Sequence, residues 1–138
     1  MSKIIRIILM IFIVTALRMM LSCTGDLKQT GTLEGTVKIS PIWPVEQPGE
    51  NPPVPHEVFK ARKIMIYDGS GKSLVEQVDI LQIDQSQMGH YGVQLRAGSY
   101  VVDINNIGID RSAEVPQEVE IKAGQTVKLD ISIDTGIR

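Results

Sequence analysis

The chain has 138 residues, 43% of them hydrophobic, and a formal net charge of −2. Past residue 22 it holds 11 basic against 16 acidic residues, a formal charge of −5 with no basic run of five or more, which argues against nucleic acid as a partner. The 115 residues beyond Cys23, the single cysteine, suffice for one domain and are too few for two.

In chain order, the first element is an export signal. Lys3 and Arg6 lead into an apolar run from Ile7 to Leu17, followed by Arg18 and then Met19-Met20-Leu21-Ser22-Cys23. A positive start, an apolar stretch of ~7–15 residues and a small residue at its end describe a secretory signal. Arg18 cuts the run short of the roughly 20 apolar residues that a spanning helix needs. Residues 1–22 are therefore expected to be a signal peptide. Cys23 cannot form an internal disulfide, although export would allow one. Its place after Leu21-Ser22 resembles the lipobox of bacterial lipoproteins, with Met20 standing where that pattern prefers Leu. The resemblance implies that Cys23 is acylated and becomes the new N-terminus. The chain would then sit at the cell envelope, on the periplasmic face of a membrane or on the cell surface.

Residues 23–31 are polar and short, a tether. From there the apolar spacing is two, which means strand. Leu33, Val37 and Ile39 alternate with polar neighbours, and Gly35 takes an inward position where two backbones can approach. Val58 to Tyr67 is a second strand, closed by the turn Asp68-Gly69-Ser70-Gly71. Ser73 to Leu81 is a third. Tyr91, Val93 and Leu95 mark a fourth and Tyr100, Val102 and Ile104 a fifth, and the short Arg96–Ser99 link predicts a hairpin between them. Glu118 to Lys122 is a sixth. Val127, Leu129, Ile131 and Ile133 face one way in the seventh. Seven short strands, with turns every 8–12 residues and no helical period after residue 23, predict an all-β, antiparallel Greek-key sandwich over residues 32–138. The last residues, Asp134 to Arg138, are expected to turn back at Gly136. Ile137 would then cover the core edge, and Arg138 would lie near Asp134 or Asp110, with Arg111 in the same cluster.

Two segments break the strand rhythm. Asn105 to Gln117 is one. Ser40 to Glu57 holds six of the seven prolines and reads as a stiff, extended loop. With Trp43, Pro44, Pro48 and Pro53 it is the candidate binding loop, because Trp is enriched at binding hot spots and proline segments dock into grooves. The competing reading is a crossover that caps one end of the sandwich with the indole as its lid.

Gly35-x-Val37, the stretch from Gly89 through Tyr91, Val93 and Leu95 to Gly98-x-Tyr100, and Val119-x-Ile121-x-Ala123-Gly124 resemble a carboxypeptidase regulatory-like domain. That family has a transthyretin-like seven-stranded sandwich, and the resemblance covers roughly residues 32 to 134. Small bacterial lipoproteins of this type end in Asp-(Ser or Thr)-Gly-Ile-Arg, as Asp134-Thr135-Gly136-Ile137-Arg138 does. Many also share the loop that Pro44-Val45-Glu46-Gln47-Pro48-Gly49 matches. Some relatives carry two cysteines around that loop; here Trp43 stands there and no cysteine does. The resemblance implies a fold and a location and no activity.

No enzyme signature appears. Hydroxyisourate hydrolases of the transthyretin type need paired histidines and a C-terminal Tyr-Arg-Gly-Ser, and this chain ends Thr-Gly-Ile-Arg. Intradiol dioxygenases need two Tyr and two His on iron, and no ligand spacing supports that. A Gly-x-Ser-x-Gly elbow is missing. His56 and His90 are the only histidines, too few for a zinc site without cysteines. Asp103, Asp110, Asp130 and Asp134 lack the dense spacing of a calcium loop. No cofactor is expected. The sequence predicts a non-catalytic envelope lipoprotein, a structural or protein-binding module with an envelope protein as its possible partner. The alternative is a small-ligand or carbohydrate-binding module.

Overall fold

The computed structural model describes residues 29–45, 49 and 52–137. The signal segment, Cys23, Pro48 and Arg138 lie outside the described residues. The chain runs β1 (Thr30–Ser40), α1 (His56–Lys60), β2 (Lys63–Asp68), β3 (Leu74–Asp79), β4 (Leu81–Gln82), β5 (Met88–Arg96), β6 (Gly98–Ile104), β7 (Gln117–Ile121), β8 (Thr126–Lys128) and β9 (Ile131–Asp134). Two sheets face each other. One has the order β4-β5-β1-β8 with β9 also on β1, and the other has the order β3-β2-β6-β7. The all-β sandwich is as expected.

Its core follows the two-residue period. Leu33, Val37 and Ile39 of β1 are fully buried, as are Ile64 and Ile66 of β2 and Val102 of β6; Tyr91, Leu95, Ile131 and Ile133 complete the facing layer. Each aliphatic side chain contributes roughly 1.5–3 kcal/mol on burial.

Several expectations are corrected. The strands number nine among the described residues, because two predicted strands are each broken in two. The third breaks at Ile80, itself 3% exposed, and the chain passes there from one sheet to the other. The seventh breaks at Leu129-Asp130, and both of its halves run parallel to β1. That sheet is therefore mixed and not purely antiparallel. Tyr91–Leu95 and Tyr100–Ile104 form no hairpin: β5 pairs with β1 and β4, whereas β6 pairs with β2 and β7. The link between them crosses the sandwich, with Ala97 N–H donating to the Gln29 carbonyl at 2.7 Å. The second predicted strand begins as a helix. Pro55 precedes α1, with Glu57 in its first turn and Lys60 in its last, which suits the helix dipole. Phe59 is fully buried on its inner side.

The tether is also shorter than read. Thr30 and Gly31 already belong to β1, and a Cβ on Gly31 would sit 2.8 Å from Ile121 Cγ2.

The long segment after β6 is bound down by an ion pair. Arg62 Nε and Nη2 donate to the two Asp110 oxygens at 2.7 and 3.1 Å, while Nη1 donates to the Val58 carbonyl at 2.9 Å. Asp110 is therefore engaged by Arg62, and the expected placement of Arg138 near Asp134 or Asp110 lies outside the described residues. Arg111 meets Asp134 through paired backbone hydrogen bonds.

Candidate functional site

A groove of about 540 Å³ opens at the end of the sandwich where β1 finishes. Lys38, Trp43, Pro52, Pro53 and Val54 line it together with the turn Asp84–Met88. Its shape follows from local chemistry. The prolines withhold the N–H groups that a ladder would need, so the segment after β1 cannot continue the sheet. It is tied across the end instead: Val54 N–H donates to the Gln85 carbonyl at 2.9 Å. Gln82 Nε2 bridges the same two segments, donating to the Val54 carbonyl at 2.9 Å and the Ser86 carbonyl at 3.1 Å.

The opposite wall is a tight turn between β4 and β5. Ser86 N–H donates to the Ile83 carbonyl at 2.9 Å, and Ile83 N–H to Met88 at 2.8 Å. Asp84 and Gln85 have φ of 50° and 53°. Positive φ at both central residues is the pattern of a type I′ turn, which normally takes Asn and Gly. Two residues with full side chains hold this strained backbone, and such strain collects at functional sites. Ser86 Oγ supports the turn, donating to the Ile83 carbonyl at 2.6 Å and accepting from Met88 N–H at 3.1 Å.

Of the predicted loop residues, Trp43 and Pro53 line the groove. Pro44 is exposed and stands outside the lining, and Pro48 lies outside the described residues. Trp43 is half-buried and packs against the core, so it is a lid for the sandwich as well as a wall of the groove. Lys38, Pro52 and the Asp84–Met88 turn are additions. The sequence signal for that turn is the polar cluster Asp84-Gln85-Ser86-Gln87 between two strands.

A second cleft of about 550 Å³ lies at the same end, lined by Ser40, Pro41, Arg111, Ser112, Glu114 and Asp134 among others. Ser112 Oγ donates to Glu114 Oε2 at 2.7 Å, and this bond holds the Glu114 carboxyl below the usual range.

The other candidate ligands do not converge. Among the described residues no group of three or more His, Cys, Asp or Glu is placed to hold a metal. His56 opens α1 and His90 lies exposed on β5. Asp110 is taken by Arg62, Asp103 accepts from the Ile104 N–H, and Asp134 accepts from the Gly136 N–H. Asp130 accepts from Thr36 N–H at 2.8 Å and Thr36 Oγ1 at 2.9 Å, which holds its carboxyl below the usual range. Beside it Tyr91 donates to the Leu129 carbonyl at 2.7 Å, and burial first, then the Asp130 charge, raises its pKa. Among the described residues no helix is long and apolar enough to cross a membrane.

No family model matches the chain, and no curated protein matches it. Among solved structures it is similar to GBS52, the minor pilin of the gram-positive pathogen Streptococcus agalactiae, at 16% sequence identity with a TM-score of 0.46. The match covers 78% of this chain and 45% of that one, so the chain spans less than half of the pilin's length.

Proposed function

We propose that this chain is a non-catalytic envelope lipoprotein, attached to a membrane through a lipid on Cys23, whose sandwich is a carboxypeptidase regulatory-like module that binds another protein. The single observation that carries the binding role is the groove between Trp43-Pro52-Pro53 and the strained Asp84-Gln85 turn. It combines an apolar wall with a polar rim, which is the make-up of a protein-binding patch. A sugar site would want a second ring beside the indole for stacking. Tyr67, Tyr91 and Tyr100 all lie outside the groove lining, which favours a protein partner over a carbohydrate.

A photo-reactive side chain placed in living cells at Pro53 or at Gln85 tests this, with Ser70 at the opposite end as the control position. The expected result is one recurrent protein adduct at the two groove positions and none at Ser70, with the Pro53 adduct lost in a Gln85→Arg background that leaves the melting temperature unchanged. Equal labelling at all three positions overturns the groove as the binding surface. Quenching of Trp43, the chain's only tryptophan, by peptidoglycan fragments would favour the carbohydrate alternative. Acylation is read separately: Cys23→Ser should leave unlipidated precursor, and an unmodified Cys23 thiol in wild-type protein overturns the anchor.

A further inference from the structure

The two sheets turn different outer faces to their surroundings. On β1 the buried Leu33, Val37 and Ile39 leave Thr32, Glu34, Thr36 and Lys38 pointing outward. In register with these, the outward residues of β4, β5, β8 and β9 are polar or glycine except for Leu81 and Met88. The other sheet departs from that pattern. Ile64 and Ile66 face the core, so Lys63, Met65 and Tyr67 of β2 point outward. Register places Leu74 on one side of Tyr67 and Val101 on the other, with Glu118 beyond Val101. At about 4.8 Å per strand this row spans about 14 Å. Met65 lies in the next row, between Gln77 and Asp103. Leu74 and Val75 are 45% and 48% exposed, and Met65, Tyr67 and Val101 are half-buried. The solvated face of an antiparallel sheet is normally polar, and a contiguous exposed apolar block rimmed by polar residues marks a contact with another molecule.

Charge selects the kind of molecule. The outward positions of β2, β3, β6 and β7 hold four carboxylates, Asp79, Asp103, Glu118 and Glu120, against one cation, Lys63. Lys63 is already paired with Asp79. The bordering Asp68, Glu76, Lys72 and Lys122 cancel one another, so the excess of three carboxylates stays. Neither Glu118 nor Glu120 forms an ion pair with a described residue. On the first sheet's outer face Glu34, Asp130 and Asp134 are balanced by Lys38, Arg96 and Lys128.

We propose that the outer face of the β3-β2-β6-β7 sheet is a second protein-binding surface, whose partner brings aliphatic side chains flanked by lysine or arginine. The aliphatic groups cover Met65, Tyr67, Leu74 and Val101, and the cations meet Asp103, Glu118 and Glu120. Complementary charge of this kind sets which partner is accepted and speeds its encounter. The same charge argues against the other occupants. A second copy would stack twice the four carboxylates against two lysines that are already paired. An anionic lipid surface would set its phosphates against the same carboxylates. The surface is independent of the groove and of the reading of Cys23.

A photo-reactive side chain placed in living cells at Leu74 tests this, with the exposed Gln94 on the first sheet as the control position. The expected result is a protein adduct at Leu74 and none at Gln94. The captured peptide, sequenced by mass spectrometry, should carry Lys or Arg beside aliphatic residues. Its yield should fall about tenfold in Glu118→Lys with Glu120→Lys, whose melting temperature should match the wild type. If that variant melts lower, Glu118→Gln with Glu120→Gln reads the same dependence as a smaller fall. The adduct should persist in the Gln85→Arg background, and at Ser70, which borders this face, the groove's partner should stay absent. An adduct joining two copies of this chain, a lipid adduct or a captured peptide without Lys or Arg overturns the proposal. So does an adduct that both charge variants leave intact, equal labelling at Gln94, or no adduct at Leu74. Loss of the adduct in the Gln85→Arg background overturns the face as a separate surface. None of these outcomes touches the groove, which is read at Pro53 and Gln85.

Discussion

The backbone of Leu129 crosses β1 against Gly35, so close that a Cβ on Gly35 would lie 2.6 Å from the Leu129 carbonyl carbon. At this crossing β8 gives way to β9. Leu129 N–H donates to the Glu34 carbonyl at 2.9 Å, and the Asp130 carboxylate takes the Thr36 N–H that a ladder carbonyl would otherwise accept. The obstacle to a side chain at Gly35 is backbone, which cannot rotate away. Gly35→Ala should therefore cost about 3 kcal/mol, the upper end for overpacking. Leu129 is only half-buried, so Leu129→Ala should cost about 2 kcal/mol, the low end for a large-to-small core change. Lys128→Ala, on an exposed side chain, should stay within about 0.5 kcal/mol. Urea denaturation of the three variants checks the order, and a Gly35→Ala protein as stable as wild type would remove the close crossing.

Two ion pairs separate buried from exposed electrostatics. Arg62 and Asp110 are 13% and 4% exposed at their side chains, and their contact is bidentate. Lys63 pairs with Asp79, whose side chain is 72% exposed. Removing one partner of the buried pair strands a charge, so Asp110→Ala should cost about 3–5 kcal/mol. Asp79→Ala should cost about 0–1 kcal/mol. The double variant Arg62→Met, Asp110→Leu should recover much of the loss, because no charge is then left uncompensated. Failure of that recovery in thermal melts would show that the pair's geometry, and not the stranded charge, sets the stability of the segment after β6.

Much of the sandwich was legible because burial imposes a two-residue period on β1, β5 and β6. The breaks were not. Ile80 is apolar and in phase with Val78, so nothing in the pattern says that the chain changes sheets between them. Asp130 lies in phase with Lys128 and Ser132, and its work as a substitute ladder acceptor depends on Thr36, distant in sequence. Val58 and Phe59 suited a strand by composition, but Pro55 and Glu57 were the stronger local signal and favoured a helical turn. At the groove, Trp43 and the prolines stood out by type. The facing turn did not, because Asp84 and Gln85 hold positive φ without the glycine that would announce it.

Acid should weaken the fold through exposed carboxylates. The Thr36 N–H and hydroxyl hold Asp130 low, and the Ser112 hydroxyl holds Glu114 low. A folded pKa below the unfolded one means that the unfolded chain binds the proton first. The stability these groups contribute is therefore present above the unfolded values of about 4, and it is lost as pH falls through the lower folded values. Both groups are exposed, so solvent screening keeps the effect small. The melting temperature should hold steady from about pH 7 to 5 and fall below about pH 4. Asp130→Asn with Glu114→Gln should flatten that fall, and an identical acid limb in both proteins would assign it to other groups. At the alkaline end Tyr91 acts in the opposite sense. Its raised pKa contributes stability below its ordinary value of about 10, lost as pH rises beyond that.

The C-terminus turns at Gly136 as its sequence suggests, with φ of 71°, but the side chain that seals it is Thr135 and not Ile137. Thr135 is 7% exposed and Ile137 is 37% exposed. Thr135 Oγ1 donates to the Pro41 carbonyl at 2.5 Å, and its N–H donates to the Ser40 carbonyl at 3.2 Å. These bonds tie the end of the chain to the start of the proline loop, extending the pairing of β9 with β1 past Ser40↔Asp134. Ile109 covers the turn: a Cβ on Gly136 would lie 2.8 Å from Ile109 Cγ1. Thr135→Val keeps the shape and removes the hydroxyl, leaving the Pro41 carbonyl without that donor, so it should cost about 1–2 kcal/mol. Gly136→Ala pays about 1–2 kcal/mol for a left-handed conformation, and little more, because the exposed Ile109 can shift. Ile137→Ala should cost less than either, under about 1 kcal/mol, since the side chain keeps over a third of its surface in water. Melting curves for the three variants give the ranking directly. A loss at Ile137 as large as that at Thr135 would return the seal to the isoleucine.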